Sequence, residues 1–329
     1  MKEISIKDIE GLCIGQTEDV VGGTGVTAFV MPKGAPCGLD VRGGGPASRE
    51  SELLKPLTSP KNIHAVVFAG GSAYGLDAAG GVMQCLEENN IGYNVGVCLV
   101  PLVCQADIFD LTVGDKNIRP DKAMGYAAAK AALDAPNYKD GCFGAGTGAS
   151  VGKLGGMATA MKAGIGSYAV EQNGLKLGAV VCVNALGDVY DWKSGNIIAG
   201  VLTEDGKAFR SGEKLLLENG NVRRNRFVEN TTLAYIATNA RFDNPRLCKI
   251  AGMAHNGYAR TIRPVHTSAD GDTIFAASLG DFEADIDMVG TLAAEVVAEA
   301  INRAVKSAES CYGLLAAKDL PVAHGQSQL

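Results

Sequence analysis

Short runs of hydrophobic residues recur along the chain and are separated by glycine-rich or polar stretches. Four of these runs are apolar almost throughout and are too short to form ordinary helices. Such runs predict strands that are buried on both faces of a sheet. They occupy residues 64–69, 179–183, 233–238 and 273–277.

Four longer segments have the composition and spacing of helices. Apolar side chains recur at helical intervals in residues 73–86, and alanine is abundant in residues 124–133 and 288–308. A fourth helix is predicted near residues 244–260, because it is preceded by an Asp-Asn-Pro sequence that is typical of a helix start. Strands and helices therefore occur throughout the chain, and the pattern predicts a mixed α/β fold.

The composition indicates a globular chain with a large core. Its 329 residues are 47% hydrophobic, which is enough for one large domain or two ordinary ones. The formal net charge is -6, and the 30 lysines and arginines are scattered along the chain. Because nucleic-acid-binding proteins need a basic patch, this distribution argues against such a partner. Small molecules or short peptides are the expected partners.

The start of the chain and its cysteines suggest a cytoplasmic protein. The first residues are charged and lack the apolar core of a signal peptide, and no stretch approaches the roughly 18 apolar residues of a membrane span. The nine cysteines include no Cys-x-x-Cys pair, which is typical of reduced thiols. The histidines show no metal-ligand spacing, so they are interpreted as structural, and neither a metal nor a cofactor is expected. They are His64, His255, His266 and His324.

Asn230 and Thr231 mark a candidate cleavage site. The polar segment 203–229 is the best linker candidate, and a predicted strand begins shortly after Thr231. Farther along the chain, Asp270 and Asp272 flank a glycine in a predicted loop. Together these features suggest that the chain cuts its own backbone before Thr231 and uses the freed threonine as nucleophile. Taken singly, each of them is more typical of an ordinary loop or turn.

Two glycine-rich segments match known motifs only in part. Residues 144–153 end in Gly-Lys but lack the first glycine and the Ser or Thr of a phosphate-binding loop, and they contain no complete dinucleotide-binding pattern. Ser72 lies near the position of a nucleophile elbow, but Tyr74 replaces the required glycine. Lys153 is therefore predicted to lie on a glycine-rich turn, and Ser72 to cap a helix or to belong to an amide nest.

Taken together, these motifs closely resemble one family of hydrolases. The family comprises L-aminopeptidase/D-esterases, β-peptidyl aminopeptidases and nylon-oligomer endo-hydrolases. The chain is most similar to the nylon-oligomer branch, because it has threonine at the scissile position and an Asp-Gly-Asp pair. The matching segments cover nearly the whole chain: residues 42–44, 69–76, 120–123, 148–153, 181–184, 230–232 and 266–273.

The resemblance implies a fold, a maturation step and an assembly. The implied fold is a four-layer αββα sandwich of the α/β class, similar to N-terminal-nucleophile hydrolases and to ornithine acetyltransferases, in one domain that spans residues 1–329. The implied maturation is self-cleavage into fragments 1–230 and 231–329. The implied assembly is a homo-oligomer, often a tetramer.

The resemblance also implies roles for the motif residues. Thr231 is expected to be the nucleophile, and its freed α-amine is expected to be the base. Asp270 and Asp272 are expected to orient this amine and hydroxyl. Asn184 is expected to donate its side-chain amide to the oxyanion, and Lys153 to supply positive charge.

The activity implied by the resemblance is hydrolysis of amide bonds in short peptides or aminohexanoate oligomers through an acyl-enzyme. Two alternatives remain open: an acyltransferase of the glutamate N-acetyltransferase type, and a catalytically inactive scaffold. The complete set of motif residues favours an active enzyme over a scaffold. One departure from the family is visible, because relatives carry a tyrosine in the region 107–110, where this chain has Phe109. A tyrosine hydroxyl is therefore not expected there.

Overall fold

The structure is a computed structural model that describes residues 1–59, 62–218 and 230–320. Its strands are β1 (Lys2–Ile4), β2 (Cys13–Asp19), β3 (Thr24–Ala35), β4 (Cys37–Val41), β5 (Ala47–Arg49), β6 (Ile63–Ala69), β7 (Tyr93–Asn94), β8 (Leu99–Val100), β9 (Val103–Asp107), β10 (Ser150–Val151), β11 (Met161–Lys162), β12 (Ile165–Gln172), β13 (Leu175–Asn184), β14 (Asp188–Tyr190), β15 (Ile197–Ala199), β16 (Thr231–Ala240), β17 (Ile262–Arg263) and β18 (Thr273–Phe282). Its α-helices are α1 (Ala78–Glu88), α2 (Lys122–Asp134), α3 (Gly212–Glu218), α4 (Asn244–Thr261) and α5 (Ile286–Lys306).

Two large sheets organise the fold. The first has six strands in the order β1-β12-β13-β16-β18-β4, and the second has five in the order β2-β3-β6-β9-β5. Neighbouring strands are antiparallel except for β16 with β18 and β6 with β9, which are parallel. Strand β16 begins at Thr231 and lies in the interior of the first sheet. The predicted cleavage point therefore lies at the entry of an interior strand.

The two sheets pack face to face through a core rich in aromatic side chains. Phe29 of β3 stacks on Tyr235 of β16 with ring centroids 4.5 Å apart, and it meets Phe68 of β6 edge-on at 4.9 Å. Because side chains alternate along a strand, Leu233 and Tyr235 face this core, whereas Ile236 faces the other side of the sheet. Burying one such large side chain contributes roughly 1.5–3 kcal/mol, so this layer holds the sheets together.

Helices cover the outer faces of both sheets. Helices α4 and α5 pack on the first sheet, where Ile250 and Val297 share a core with Ile236. Helices α1 and α2 pack on the second sheet, where small residues such as Ala128 allow close approach. The layers thus run helix, sheet, sheet, helix, and the predicted αββα sandwich is confirmed. In the described parts of the chain, no helix has both the length and the apolar character of a bilayer span.

The predicted strands all occur, and each is longer than the apolar run that indicated it. They are β6, β13, β16 and β18. Three predicted helices correspond to α2, α4 and α5. The predicted helix 73–86 is correct in its second half, but residues Ser72–Asp77 form a 3-10 helix. This tight turn is possible because Gly75 packs on the backbone of Gly70, where an added Cβ would overlap the Gly70 carbonyl oxygen.

The predicted linker 203–229 is wrong in its first part, because helix α3 occupies residues 212–218. The buried carboxylate of Asp188 accepts the N–H of Val201 at 2.8 Å and the N–H of Gly212 at 2.7 Å. These two hydrogen bonds hold the chain at Val201, before the segment, and at Gly212, where α3 begins. A local sequence pattern does not show such a tertiary contact. Residues 219–229 lie outside the described residues.

Candidate active site

Three neighbouring strands of the first sheet bring the motif residues to one edge. Thr231 is the first residue of β16, and it pairs in register with Asn184, the last residue of β13. Strand β18 is parallel to β16 and begins at Thr273, directly after Asp270 and Asp272. Residues that are far apart in the sequence therefore meet at the same end of three adjacent strands.

Lys153 reaches this edge from a glycine-rich turn, as the sequence predicts. Its Nζ donates to the side-chain oxygen of Asn184 at 2.6 Å and to the Asn184 carbonyl at 3.3 Å. The turn depends on Gly152, which has a left-handed φ of 70° and lies so close to Gly200 that a Cβ would overlap it. Lys153 is 7% exposed, so this interaction lies in a site largely closed to water.

The side-chain amide of Asn184 is held from two sides. Its Oδ1 accepts the Lys153 ammonium and the N–H of Ser150 at 3.1 Å, while its Nδ2 donates to the carbonyl of Phe109 at 2.9 Å. Phe109 thus contributes its backbone carbonyl to the site. An asparagine amide has two N–H donors, and Phe109 accepts from one of them.

The loop before β18 holds the backbone on both sides of the Asn230–Thr231 bond. The N–H of Asn230 donates to the carbonyl of Ala269 at 2.9 Å, and the N–H of Gly271 donates to the carbonyl of Asn230 at 2.5 Å. Gly271 also lies against the Thr231 side chain, because a Cβ on this glycine would be 2.5 Å from Thr231 Oγ1. The carbonyl of the bond that would be cleaved therefore already accepts a hydrogen bond, and the neighbouring Thr231 hydroxyl is closely packed.

The two aspartates have separate partners. Asp270 Oδ2 accepts the backbone N–H of Thr267 at 2.8 Å and its hydroxyl at 2.7 Å. Asp272 Oδ1 accepts the N–H of Thr232 at 2.9 Å, and its Oδ2 lies 2.8 Å from Nδ1 of His266. The acidic pair is thus tied to the first residues of β16 and to the loop 266–269.

A triple glycine packs on the acidic loop. The N–H of Arg42 donates to the carbonyl of Asp272 at 3.0 Å, and the N–H of Gly45 donates to the carbonyl of Asp270 at 2.8 Å. Between them, a Cβ on Gly43 would overlap the carbonyl oxygen of Asp270. This close backbone approach explains the glycine at position 43, and the same holds for Gly44, whose Cβ would overlap the backbone of Ser268.

Burial dominates the electrostatics of the site. Burial lowers the pKa of Lys153 to about 7, against the opposing influence of the Asp270 and Asp110 carboxylates. Burial, and then the negative charge of Asp272, raises the pKa of Asp270 to about 6. The pKa of Asp110 is likewise raised to about 6 by burial, although Thr24 and Gly71 donate hydrogen bonds to it at 2.7 Å. The lysine and both of these carboxyl groups therefore titrate near neutral pH.

The sequence interpretation missed two participants. His266 was interpreted as structural, but its ring contacts Asp272. Asp110 was not considered, although it lies buried near Lys153, held by the N–H of Gly71. A lone histidine or aspartate has no characteristic spacing, and the adjacent motif residues at 107–110 and 266–273 were the available signal.

The remaining candidates have structural contacts. His64 accepts the N–H of Leu102, and His255 contacts Asp40. Ser72 begins a 3-10 helix with a left-handed φ of 52°, while the preceding Gly71 N–H holds Asp110. His324 lies outside the described residues. Within residues 1–59, 62–218 and 230–320, no group of three or more His, Cys, Asp or Glu side chains is placed to hold a metal.

Comparison with known proteins identifies the family to which the chain belongs. The model of peptidase family S58 matches residues 5–318. The chain belongs to peptidase family S58. It is 37% identical to an uncharacterized aminopeptidase of Mycobacterium leprae, over 94% of this chain and 92% of that protein. It is 30% identical to a 6-aminohexanoate-oligomer endohydrolase of an Agromyces strain, over 91% of this chain and 85% of that protein. The family resemblance read from the sequence is confirmed.

Solved structures confirm the fold of this S58 member. The L-aminopeptidase D-Ala-esterase/amidase of Ochrobactrum anthropi, described as a variant of the Ntn hydrolase fold, superposes with a TM-score of 0.65 at 17% identity and covers 95% of this chain and 90% of its own. A β-aminopeptidase from a Burkholderia species gives a TM-score of 0.62 at 19% identity, over 92% and 86% of the two chains. Family membership makes this protein a hydrolase of amide bonds, as the sequence predicted.

Proposed function

We propose that this S58 peptidase cleaves its own chain between Asn230 and Thr231 and then hydrolyses amide substrates with Thr231 as the N-terminal nucleophile. The observation that carries the proposal is the convergence at Thr231. Its hydroxyl packs on Gly271 at the entry of β16, next to the hydrogen-bonded pair of Lys153 and Asn184 and the two aspartates.

Self-cleavage would begin with attack of Thr231 Oγ1 on the carbonyl carbon of Asn230. The new C–O bond forms, the C–N bond breaks, and the freed nitrogen takes the hydroxyl proton, giving an ester. Water then hydrolyses this ester, which leaves Asn230 with a free carboxyl group and restores the hydroxyl of Thr231 beside its new α-amine. The N–H of Gly271, which already donates to the Asn230 carbonyl, would stabilise the negative charge that develops on that oxygen.

After cleavage, the same threonine provides both nucleophile and base. A free α-amine has a typical pKa of about 7.7–8.0, so it is partly neutral near physiological pH and can accept the hydroxyl proton. The charge of Lys153 would favour this neutral form. Asn184 would offer its second N–H to the oxyanion of the substrate, while Asp270 and Asp272 would hold the amine and hydroxyl in place.

Burial of Thr231 supports cleavage as a condition for turnover. The residue is 2% exposed in the uncleaved chain, and the preceding Asn230 is fully buried. A substrate carbonyl cannot approach the hydroxyl while Asn230 occupies that space. Breaking the bond would release residue 230 and open the position that the substrate acyl group needs.

Short peptides and aminohexanoate oligomers are the proposed substrates, because relatives carry the names aminopeptidase and 6-aminohexanoate-oligomer endohydrolase. We further propose one αββα domain over residues 1–329, a cytoplasmic location and a homotetramer. The hairpin of β7 and β8 supports self-association, because its tip carries Val97, which is 93% exposed.

The test compares wild type with Thr231→Ala on short peptides and aminohexanoate oligomers. Wild type is expected to release free acid without an added amine acceptor, and the variant is expected to be inactive. Thr231→Ser, which keeps a hydroxyl, serves as the matched control and should retain activity. Hydrolysis by the alanine variant at the wild-type rate would refute the proposal, and product formation that requires an amine would instead indicate acyl transfer.

A further inference from the structure

We infer that His266 is a positioning residue, which fixes the Asp272 carboxylate and, through it, the start of β16 at Thr231. This inference rests on the proposed function. His266 approaches Asp272 with two donors, because Nδ1 lies 2.8 Å and the backbone nitrogen 3.1 Å from Oδ2. The other oxygen of Asp272 accepts the N–H of Thr232 at 2.9 Å. One carboxylate therefore joins His266 to the residue that follows the nucleophile.

The hydrogen-bond pattern assigns the tautomer of His266. An ionised carboxylate has acceptors alone, so the imidazole hydrogen must be on Nδ1. Nε2 is enclosed and has no hydrogen-bond partner among the residues that the structure describes. The contact between Nδ1 and Asp272 is therefore the polar contact that orients the ring.

The ring of His266 is held in one orientation by two other rings. It stacks on Tyr258 with centroids 5.8 Å apart and an interplanar angle of 29°, and the edge contact with His255 has a centroid distance of 4.7 Å. The Tyr258 hydroxyl in turn donates to the carbonyl of Thr232 at 3.1 Å. Both the N–H and the carbonyl of Thr232 are therefore fixed by this cluster.

The backbone of His266 is strained in a way that suits its role. Its φ of 57° lies in the left-handed region, which is uncommon for residues other than glycine and is most accessible to Asn, Asp and His. Such conformations cost free energy and are concentrated at functional sites. Here the left-handed turn directs both the backbone N–H and the side chain of the same residue at Asp272.

The contacts predict which kinetic constant His266 controls. All of its described contacts are with protein groups around Asp272, so its loss should leave substrate binding unchanged. Without the Nδ1 donor, Asp272 is held by the backbone N–H groups of His266 and Thr232, and the looser carboxylate fixes the start of β16 at Thr231 less tightly. The rate of self-cleavage and the kcat of the processed enzyme should fall while KM stays constant. Loss of a hydrogen bond to a charged group corresponds to a decrease of about 10- to 100-fold.

The experiment separates the Nδ1 hydrogen bond from the presence of a histidine. His266→Asn places an amide N–H near the position of Nδ1 and tolerates the left-handed φ, whereas the longer side chain in His266→Gln does not place a donor there. We expect the Asn variant to stay within about 3-fold of wild type and the Gln variant to lose about 10- to 100-fold in both rates. His64→Asn is the matched control, since His64 has an Nδ1 hydrogen bond on the second sheet and should keep wild-type rates.

Each result has a defined meaning when wild type and Thr231→Ala are measured alongside. Loss of kcat in the Gln variant with KM unchanged, together with rescue in the Asn variant, supports positioning by His266. Equal rates in the Gln variant and wild type would overturn the inference, and so would a loss of more than 10-fold in the Asn variant. If the Gln variant fails to fold, the rates of the Asn variant decide the question. An uncleaved, inactive wild type would defeat the proposed function and this inference with it.

Discussion

Replacing Gly271 by alanine should slow self-cleavage about 100-fold without unfolding the protein. The added Cβ would lie 2.5 Å from Thr231 Oγ1, whereas ordinary contacts begin near 3.4 Å. The two atoms must therefore separate by about 0.9 Å. Threonine is β-branched and stiff at χ1, so relief of this contact requires another rotamer or a backbone shift, and either one moves the hydroxyl from its reactive position. A displacement of about 1 Å from a reactive geometry costs roughly 100-fold in rate.

The fold should tolerate this change. Gly271 is not one of the residues with a left-handed φ, and alanine keeps the N–H that donates to the Asn230 carbonyl. Gly45→Ala is the matched control, because Gly45 lies in the triple glycine that packs on the same loop and its added Cβ would meet nothing closer than 3.9 Å. The control should cleave at the wild-type rate.

The assay is intact-mass analysis of samples taken at intervals after purification, with melting temperatures measured in parallel. The account predicts slow cleavage in Gly271→Ala and normal cleavage in Gly45→Ala, with both proteins folded. If Gly271→Ala cleaves as fast as wild type, the packing of Thr231 against this glycine does not set the reactive geometry.

Three further predictions concern neighbouring groups. Lys153→Met should be inactive. Burial lowers the pKa of Lys153 from 10.5 to about 7, so the charged lysine destabilises the wild-type fold fully below about pH 7. Urea titrations should therefore show that the stability of wild type increases relative to that of the variant as the pH rises from about 7 to 10.5. Asn184→Ala should lower kcat about 100- to 1000-fold in steady-state assays, and an unchanged kcat would exclude the oxyanion role. Tyr258→Phe removes hydrogen bonds to the carbonyls of Thr232 and Thr273 and should cost about 1–2 kcal/mol in the free energy of unfolding; chemical denaturation that shows no loss would contradict this.

The sequence predicted the elements that depend on local pattern. The apolar run at 233–238 lies within β16 because this strand is buried on both faces, and the Asp-Asn-Pro start of α4 begins the helix where predicted. Helix α3 was missed because its start is held by a tertiary contact, in which Asp188 accepts the N–H of Gly212, the first residue of the helix. Strand order also depends on such long-range pairing, so the sequence pattern did not predict it; the family resemblance supplied the αββα layers alone.

The residues of the site were likewise predictable where a local motif marks them and were missed where none does. Lys153, Asn184, Thr231 and the acidic pair lie in segments that carry recognisable motifs, so the sequence could name them together. His266 was interpreted as structural because a single histidine has no spacing signal, and its contact with Asp272 depends on a left-handed turn. A positive φ at a residue other than glycine cannot be seen in a hydrophobic pattern.

The most direct test of the central claim is the mass of the freshly purified wild-type protein under denaturing conditions. The account predicts two fragments, residues 1–230 and 231–329, with threonine as the first residue of the second. The Thr231→Ala protein should give one full-length mass. A single full-length wild-type chain that persists during long incubation while amide substrates are hydrolysed would contradict the claim that Thr231 acts as an N-terminal nucleophile.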